Sequence, residues 1–227
     1  MTAPRVTCVI PALNAAPTVA AVIGGVRASL PDCRLTVIDD GSTDDTYTVA
    51  RPLADTILRF DHNRGKGAAL RAGFAAALAD RADIVLTIDA DGQHDAAYAP
   101  ALIAAVTVAD VAIGARDRRS RDMPVGRRLT NSLSAAAVAR CIGQPVADAQ
   151  SGYRALRACV ARDVTPRGDR YEFETELLIL AGRRGYRIAF VPIPTRYPQT
   201  VRSQFRPLRD SVRIVGTLWR FGMGAQH

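Results

Sequence analysis

The sequence predicts an α/β fold: one open, mostly parallel (mixed) sheet with helices on both faces. Three observations predict it. Short apolar runs alternate with longer amphipathic or alanine-rich segments through the first half of the chain. The run Ile84 to Ile88 is apolar throughout, as a parallel strand buried on both faces must be. Polar clusters recur where such runs end. At 227 residues, 48% hydrophobic and 23% charged, the chain is long enough for one sizeable core and too apolar to be disordered.

Arg5 to Ile10 reads as the first strand, closed by Pro11, and a helix follows over Ala15 to Ser29. Leu35 to Asp39 is a second strand. It runs into Asp39-Asp40-Gly41-Ser42-Thr43-Asp44-Asp45-Thr46, a strand end, a turn and a helix start. Ser42 or Thr43 is expected as the N-cap, with Asp44 and Asp45 favouring the positive end of the helix dipole. Thr56 to Phe60 is a short strand before Asn63-Arg64-Gly65-Lys66-Gly67, which opens an alanine-rich helix over Ala68 to Ala79. The buried strand Ile84 to Ile88 ends in Asp89-Ala90-Asp91-Gly92-Gln93-His94. A helix over Ala97 to Val106 and a strand from Val111 to Ile113, ending at Gly114-Ala115-Arg116, complete the regular half.

The second half is less regular. It predicts a helix over Arg127 to Cys141, a strand through Tyr153 to Leu156, a helix over Phe173 to Arg183 and a strand from Ile188 to Ile193. No linker, repeat or low-complexity tract interrupts it. The expected organisation is one domain over 1–204, with a nucleotide-binding half (1–116) and an acceptor half (117–204), then an amphipathic basic helix over 205–227.

Composition removes several classes. The four cysteines (Cys8, Cys33, Cys141, Cys159) have no metal-ligand spacing and are read as reduced. No apolar run approaches the roughly 18–20 residues that cross a bilayer. Val6 to Ile10 is too short for a signal-peptide core, so a cytoplasmic location is expected. The net charge of +8 is concentrated in two places. Arg116 to Arg128 holds six arginines and two aspartates, and Arg196 to the last residue holds six arginines and one aspartate. Such patches suit anionic partners such as phosphates or an acidic membrane surface. They lack the interleaved aromatics of a single-strand nucleic-acid platform, so no nucleic acid is expected. Of the 30 basic residues only Lys66 is a lysine, an exception that invites a reason.

Ligands of open α/β sheets bind outside the carboxyl ends of the strands. Here those ends carry Pro11-Ala12-Leu13-Asn14, Asp39-Asp40-Gly41-Ser42 and Asp89-Ala90-Asp91. Carboxylates at the end of an apolar strand are costly to bury unless a cation or hydrogen-bond donors meet them. Asp39 and Asp40 are suited to accept hydrogen bonds from a base imide or ribose hydroxyls. Asp89 and Asp91, on alternate positions, are suited to share a divalent cation completed by phosphate oxygens, with the Gln93 amide oxygen adding to the shell.

Taken together, these motifs resemble family 2 glycosyltransferases of the GT-A fold, and most closely the dolichyl- and polyprenyl-phosphate mannosyl- and glucosyltransferase branch. The resemblance runs from Val6 to about Ser203, through Val9-Ile10-Pro11-Ala12-Leu13-Asn14, Val37-Ile38-Asp39-Asp40-Gly41-Ser42-Thr43-Asp44 and Asn63-Arg64-Gly65-Lys66-Gly67-Ala68-Ala69. It continues through Asp89-Ala90-Asp91-Gly92-Gln93-His94, Gly114-Ala115-Arg116, Asp148-Ala149-Gln150-Ser151-Gly152-Tyr153-Arg154 and Phe173-Glu174-Thr175-Glu176-Leu177-Leu178. The resemblance implies a nucleotide-sugar donor, UDP- or GDP-linked, with Pro11, Asp39 and Asp40 on the base and ribose. It implies Mg2+ or Mn2+ on Asp89, Asp91 and Gln93, Lys66 among the donor-binding residues, and Asp91 at the chemistry. Arg116, with Arg127 or Arg128, would receive an acceptor phosphate, and Arg202 would lie near the phosphates. The implied reaction inverts the anomeric configuration and delivers the sugar to a polyprenyl-phosphate-type lipid.

Two departures bear on that reading. Leu13 and Ala15 stand where relatives often have an aromatic residue and a glutamate, and Val201-Arg202-Ser203-Gln204 lacks the glycine and lysine common in the branch. A hydroxyl acceptor on another glycolipid or polysaccharide therefore stays open, and it would need Asp148 or Glu174 as base. A nucleotide-sugar-binding protein without turnover is the more remote alternative. In the tail, Phe205, Leu208, Val212, Val215 and Trp219 recur at helical spacing, with Arg202, Arg206, Arg209 and Arg213 one position out of phase. That pattern suits the headgroup region of an anionic membrane and implies peripheral contact at its cytoplasmic face.

Overall fold

A computed structural model describes residues 3–116, 125–170, 172–194, 216 and 221, with the side chains of 125–130 excepted. Among the described residues, seven strands form one mixed sheet in the order β3-β2-β1-β4-β6-β5-β7. They are β1 (Val6–Ala12), β2 (Arg34–Asp39), β3 (Thr56–Arg59), β4 (Ile84–Thr87), β5 (Val111–Arg116), β6 (Arg154–Arg157) and β7 (Ile188–Ile193). Strands β1 to β4 are parallel, and β5 pairs β7 in parallel. Strand β6, between β4 and β5, runs antiparallel to both.

The helices are α1 (Val19–Ser29), α2 (Thr46–Ala50), α3 (Lys66–Ala79), α4 (Ala99–Ala105), α5 (Val125–Ile142), α6 (Ala158–Asp163) and α7 (Glu172–Arg183). The period-2 alternation of the strands divides the core into two layers. Cys8 and Ile10 of β1, Leu35 and Val37 of β2, and Leu86 of β4 pack with Val19, Ile23 and Val26 of α1. Val9, Ile38 and Val85 point the other way, onto Leu70 and Phe74 of α3 and Phe173 and Leu177 of α7. Helices therefore cover both faces, as the apolar strand runs require.

Helix α3 lies unusually close to β1, because a Cβ added at Gly73 would stand 2.2 Å from Val9 Cγ1. Val9 is wholly buried and has no room to give. Gly73→Ala is expected to destabilise the protein by about 1–3 kcal/mol through overpacking. Urea unfolding checks this, and an unchanged midpoint would contradict the close approach.

Several local expectations are corrected. Helix α1 starts at Val19 rather than Ala15, since Ala15 gives its amide to Thr46 Oγ1 at 2.7 Å and its carbonyl to a turn at Thr18 and Val19. Neither Ser42 nor Thr43 caps α2. Ser42 Oγ accepts the Asn14 amide at 3.0 Å, and Asp44 accepts the Thr46 amide at 3.0 Å. Tertiary contact between two loops thus displaces the local cap. Helix α6 has no counterpart in the sequence reading. The expected C-terminal helix falls largely outside the described residues. Phe221 packs on the α3–α7 core layer, under the Arg183 guanidinium at 5.3 Å, with its carbonyl accepting from that group.

Candidate active site

The carboxyl ends of β1, β2 and β4 meet where the strand order reverses, with β1 flanked by β2 on one side and β4 on the other. Pro11 is buried in β1, level with Ile38. The next loop turns at Asn14, whose φ of 49° a short polar side chain tolerates. Asn14 Oδ1 accepts the Thr43 amide at 2.9 Å, which ties the β1 and β2 loops together.

Both acids at the end of β2 have internal partners. The Asp39 side chain is fully buried, with Oδ1 accepting the Ser42 amide at 2.9 Å and Oδ2 lying 3.2 Å from Arg59 Nε. Arg59 also stacks over the Tyr47 ring at 4.8 Å. Asp40 accepts the Arg64 amide at 2.7 Å and the Gly65 amide at 2.9 Å, one on each oxygen. Burial pushes the Asp40 carboxyl above its ordinary value, and the two amides offset this in part. Asp40 therefore anchors the turn that launches α3. Only glycine fits at 65, because φ is +104° and a Cβ would stand 2.3 Å from the Asp169 carbonyl oxygen.

Lys66, the first residue of α3, reaches across the crevice. Its Nζ lies 2.6 Å from Asp89 Oδ1 and 2.7 Å from Glu174 Oε1, joining the end of β4 to α7. Burial alone would raise the Asp89 carboxyl, but the Lys66 ammonium holds it below its ordinary value. Asp91 has the opposite balance. Burial and the neighbouring Asp89 charge push it up to about 6. Its Oδ1 accepts the Gln93 amide at 3.0 Å, which brings Gln93 to the same turn. His94 is buried against the Tyr153 ring at 5.4 Å, and burial lowers it to about 4, so it is neutral near pH 7.

Arg116 and residues of the 148–154 segment converge on the same end of the sheet. Arg116, the last residue of β5, grips Asp148 with two bonds, Nε to Oδ2 at 2.6 Å and Nη2 to Oδ1 at 3.0 Å. Asp148 Oδ1 also accepts the amides of Gln150 at 3.0 Å and Ser151 at 3.1 Å. Burial opposes ionisation of Asp148, and Arg116 more than compensates, holding it below the ordinary carboxylate value. Arg154 is a buried hub that sequence reasoning did not single out. It donates to the carbonyls of Ser151 at 2.7 Å, Ala149 at 2.9 Å and Glu174 at 2.7 Å. Gly152 then packs on the Lys66–Asp89 pair, where a Cβ would lie 2.5 Å from Asp89 Oδ2 and 2.7 Å from Lys66 Nζ. The available signal for this tie was an arginine at the start of β6, next to the apolar pair Ala155-Leu156.

The donor set fits a hard divalent cation. Among the described residues no group of three or more His, Cys, Asp or Glu side chains forms a cage. Two carboxylates and an amide oxygen remain at one turn. Mg2+ is commonly held in this way, by one or two carboxylates with substrate phosphates and water completing the shell. Burial and the neighbouring Asp89 charge leave Asp91 raised, so a cation placed at this turn would favour its ionised form. The side chains of Arg127 and Arg128, in the first turn of α5, and the whole of Arg202 lie outside the described residues.

Residues 7–165 match glycosyl transferase family 2, more than half of the chain. The chain belongs to that family. An undecaprenyl-phosphate mannosyltransferase from Micrococcus luteus is 30% identical to this glycosyltransferase over 200 residues, 83% of this chain and 82% of that protein. A polyprenol monophosphomannose synthase from Mycolicibacterium smegmatis is 32% identical over 209 residues, 83% of this chain and 76% of that protein. Glucosyl-3-phosphoglycerate synthase from Mycobacterium tuberculosis, solved with Mg2+ and uridine diphosphate, superposes with a TM-score of 0.73 at 25% identity. That match covers 96% of this chain and 79% of the other. The expected GT-A fold and the resemblance to the polyprenyl-phosphate branch are borne out.

Proposed function

We propose that this glycosyltransferase moves a sugar from a UDP- or GDP-linked donor to a polyprenyl phosphate, with inversion, using Mg2+ or Mn2+. One observation carries the acceptor assignment: both carboxylates able to serve as a base for a hydroxyl are committed to cations. Asp148 is clamped by Arg116, and Glu174 is paired with Lys66. A hydroxyl acceptor must lose its proton during attack, whereas a phosphate monoester arrives largely ionised near neutral pH. The two lipid-phosphate relatives support the same reading.

In this reading Pro11, Asp39 and Asp40 shape the nucleoside end, the two acids acting through the turns and the Arg59 contact that they hold. Asp89, Asp91 and Gln93 hold the divalent cation, which when bound stabilises negative charge on the departing diphosphate. Arg116, its guanidinium plane fixed by Asp148, orients the acceptor phosphate together with Arg127 and Arg128. Arg202 lies with the phosphates. A phosphate oxygen of the acceptor attacks the anomeric carbon, and the bond to the nucleoside diphosphate breaks with the electron pair leaving on its oxygen. No proton need move. No helix among the described residues is long and apolar enough to cross a membrane. Contact with the lipid phase at the cytoplasmic face is assigned to the tail on its apolar positions flanked by arginines.

The test supplies purified protein with UDP- and GDP-hexoses, Mn2+ and a polyprenyl phosphate in anionic liposomes. The expected product is a mild-acid-labile lipid-phosphate sugar, with the protein floating alongside the liposomes. Failure of every donor to label the lipid would overturn the proposal.

A further inference from the structure

The Lys66 ammonium lies 2.6 Å from Asp89 Oδ1, on one of the carboxylates assigned to the divalent cation. It is not a chance surface pair. Asp89 and Lys66 are both largely shielded, with side chains 22% and 17% exposed, and Gly152 closes over them, so that a Cβ there would displace the Asp89 carboxylate or the Lys66 ammonium. The backbone there is fixed by Thr87 Oγ1, which donates to the Gly152 carbonyl at 2.7 Å. On its other side the ammonium meets Glu174, whose side chain is 4% exposed and whose backbone is bonded to Arg154. Glu174 is thus a rigid second anchor from another helix. It retains the ammonium in the crevice when Asp89 turns to a different cation.

Two cations on one shielded carboxylate repel strongly at such distances, since screening by water is weak there. A diphosphate changes the balance, because its added negative charge accommodates both the ammonium and a divalent ion. We propose that Lys66 is the resident counter-cation of Asp89, held ready by Glu174, and that it makes metal binding depend on the nucleoside diphosphate. Without nucleotide, Lys66 competes with the metal for Asp89. With nucleotide, the ammonium turns to the phosphates and Asp89 is released. By linkage the metal then strengthens nucleotide binding by the same factor. Glu174 acts here as a positioning residue, and the inference rests on the donor and metal reading above.

Because Lys66 is the only lysine in the chain, protein labelled with 13C-lysine gives one side-chain signal for direct observation. That signal is expected to stay in place when millimolar Mg2+ is added alone and to shift when UDP or GDP is added with Mg2+. A parallel Mn2+ titration compares the wild type with Lys66→Met and with Lys66→Met/Glu174→Gln. The double variant removes both charges, so it leaves no unpaired buried glutamate to unfold the protein. Without nucleotide both variants are expected to bind Mn2+ at least tenfold more tightly than the wild type. A Lys66 signal that stays unchanged with nucleotide and Mg2+ bound overturns the proposal, as does equal or weaker Mn2+ binding by the folded double variant. If neither UDP nor GDP raises the Mn2+ affinity of the wild type, the donor reading fails and this proposal fails with it.

Discussion

Asp91→Asn is expected to give a metal-free protein that resists unfolding better than the wild type yet has lost at least a hundredfold in sugar transfer. The reasoning starts from charge. Burial and the neighbouring Asp89 push the Asp91 carboxyl up to about 6. A folded-state value raised above the unfolded one means that the native protein holds this proton more tightly. Ionised Asp91 therefore opposes folding, and the penalty grows as pH rises from the ordinary carboxylate value through 6. Asparagine keeps an oxygen for the Gln93 amide and removes the charge. The gain is expected to be about 1–2 kcal/mol at pH 7 and to vanish below about pH 4, discounting the full shift for partial exposure. Mn2+ added together with UDP or GDP should raise the melting temperature of the wild type beyond the effect of the nucleotide alone, and should add nothing for the variant. A variant less stable than the wild type at pH 7 without metal, or one still stabilised by Mn2+ beyond the nucleotide effect, would contradict the assignment. A stability cost retained at a carboxylate is the mark of a functional site.

Arg154→Met is expected to be the most damaging single change to the fold among those considered. Arg154 is almost wholly buried and donates to three backbone carbonyls, those of Ala149, Ser151 and Glu174. Methionine fills similar volume but leaves all three acceptors without this donor. It also removes a cation from the neighbourhood of Glu174, Asp148 and Asp89, which the arginine now partly balances. Breaking one side of such a buried arrangement costs about 3–5 kcal/mol. For a chain of this length that corresponds to a fall in melting temperature of roughly 10 °C. The loop that carries Asp148 and Gly152 would lose its anchor together with the start of α7. Thermal unfolding that places Arg154→Met within about 1 kcal/mol of the wild type would show that the hub contributes little.

The layout of this site was legible in the sequence where the signal is local. Apolar runs located β1, β2 and β4 to within two residues, and the acids at their ends lie where the sheet brings strand termini together. What the sequence could not supply is partner choice. Nothing local distinguishes Glu174 as an acid at a helix start from Glu174 as an anchor for a lysine 108 positions earlier in the chain. The same holds for Asp148, a turn residue by sequence and a clamp for Arg116 in the fold. The strand through Tyr153 to Leu156 was legible, but not that it is the one running antiparallel, because strand direction is decided by which edge the chain returns to and not by composition. The isolated lysine was the one non-local feature that the sequence did flag. Its reason emerges only when β4, α3 and α7 are assembled around it.

The most direct measurement of the central claim offers the purified protein one labelled nucleotide-sugar, Mn2+ and a matched pair of lipids, a polyprenyl phosphate and the corresponding polyprenol. Sugar transferred to the phosphate and none to the alcohol is the predicted result, since Asp148 and Glu174, the two candidate bases for a hydroxyl, are paired with Arg116 and Lys66. Transfer to the polyprenol at a comparable rate would contradict it.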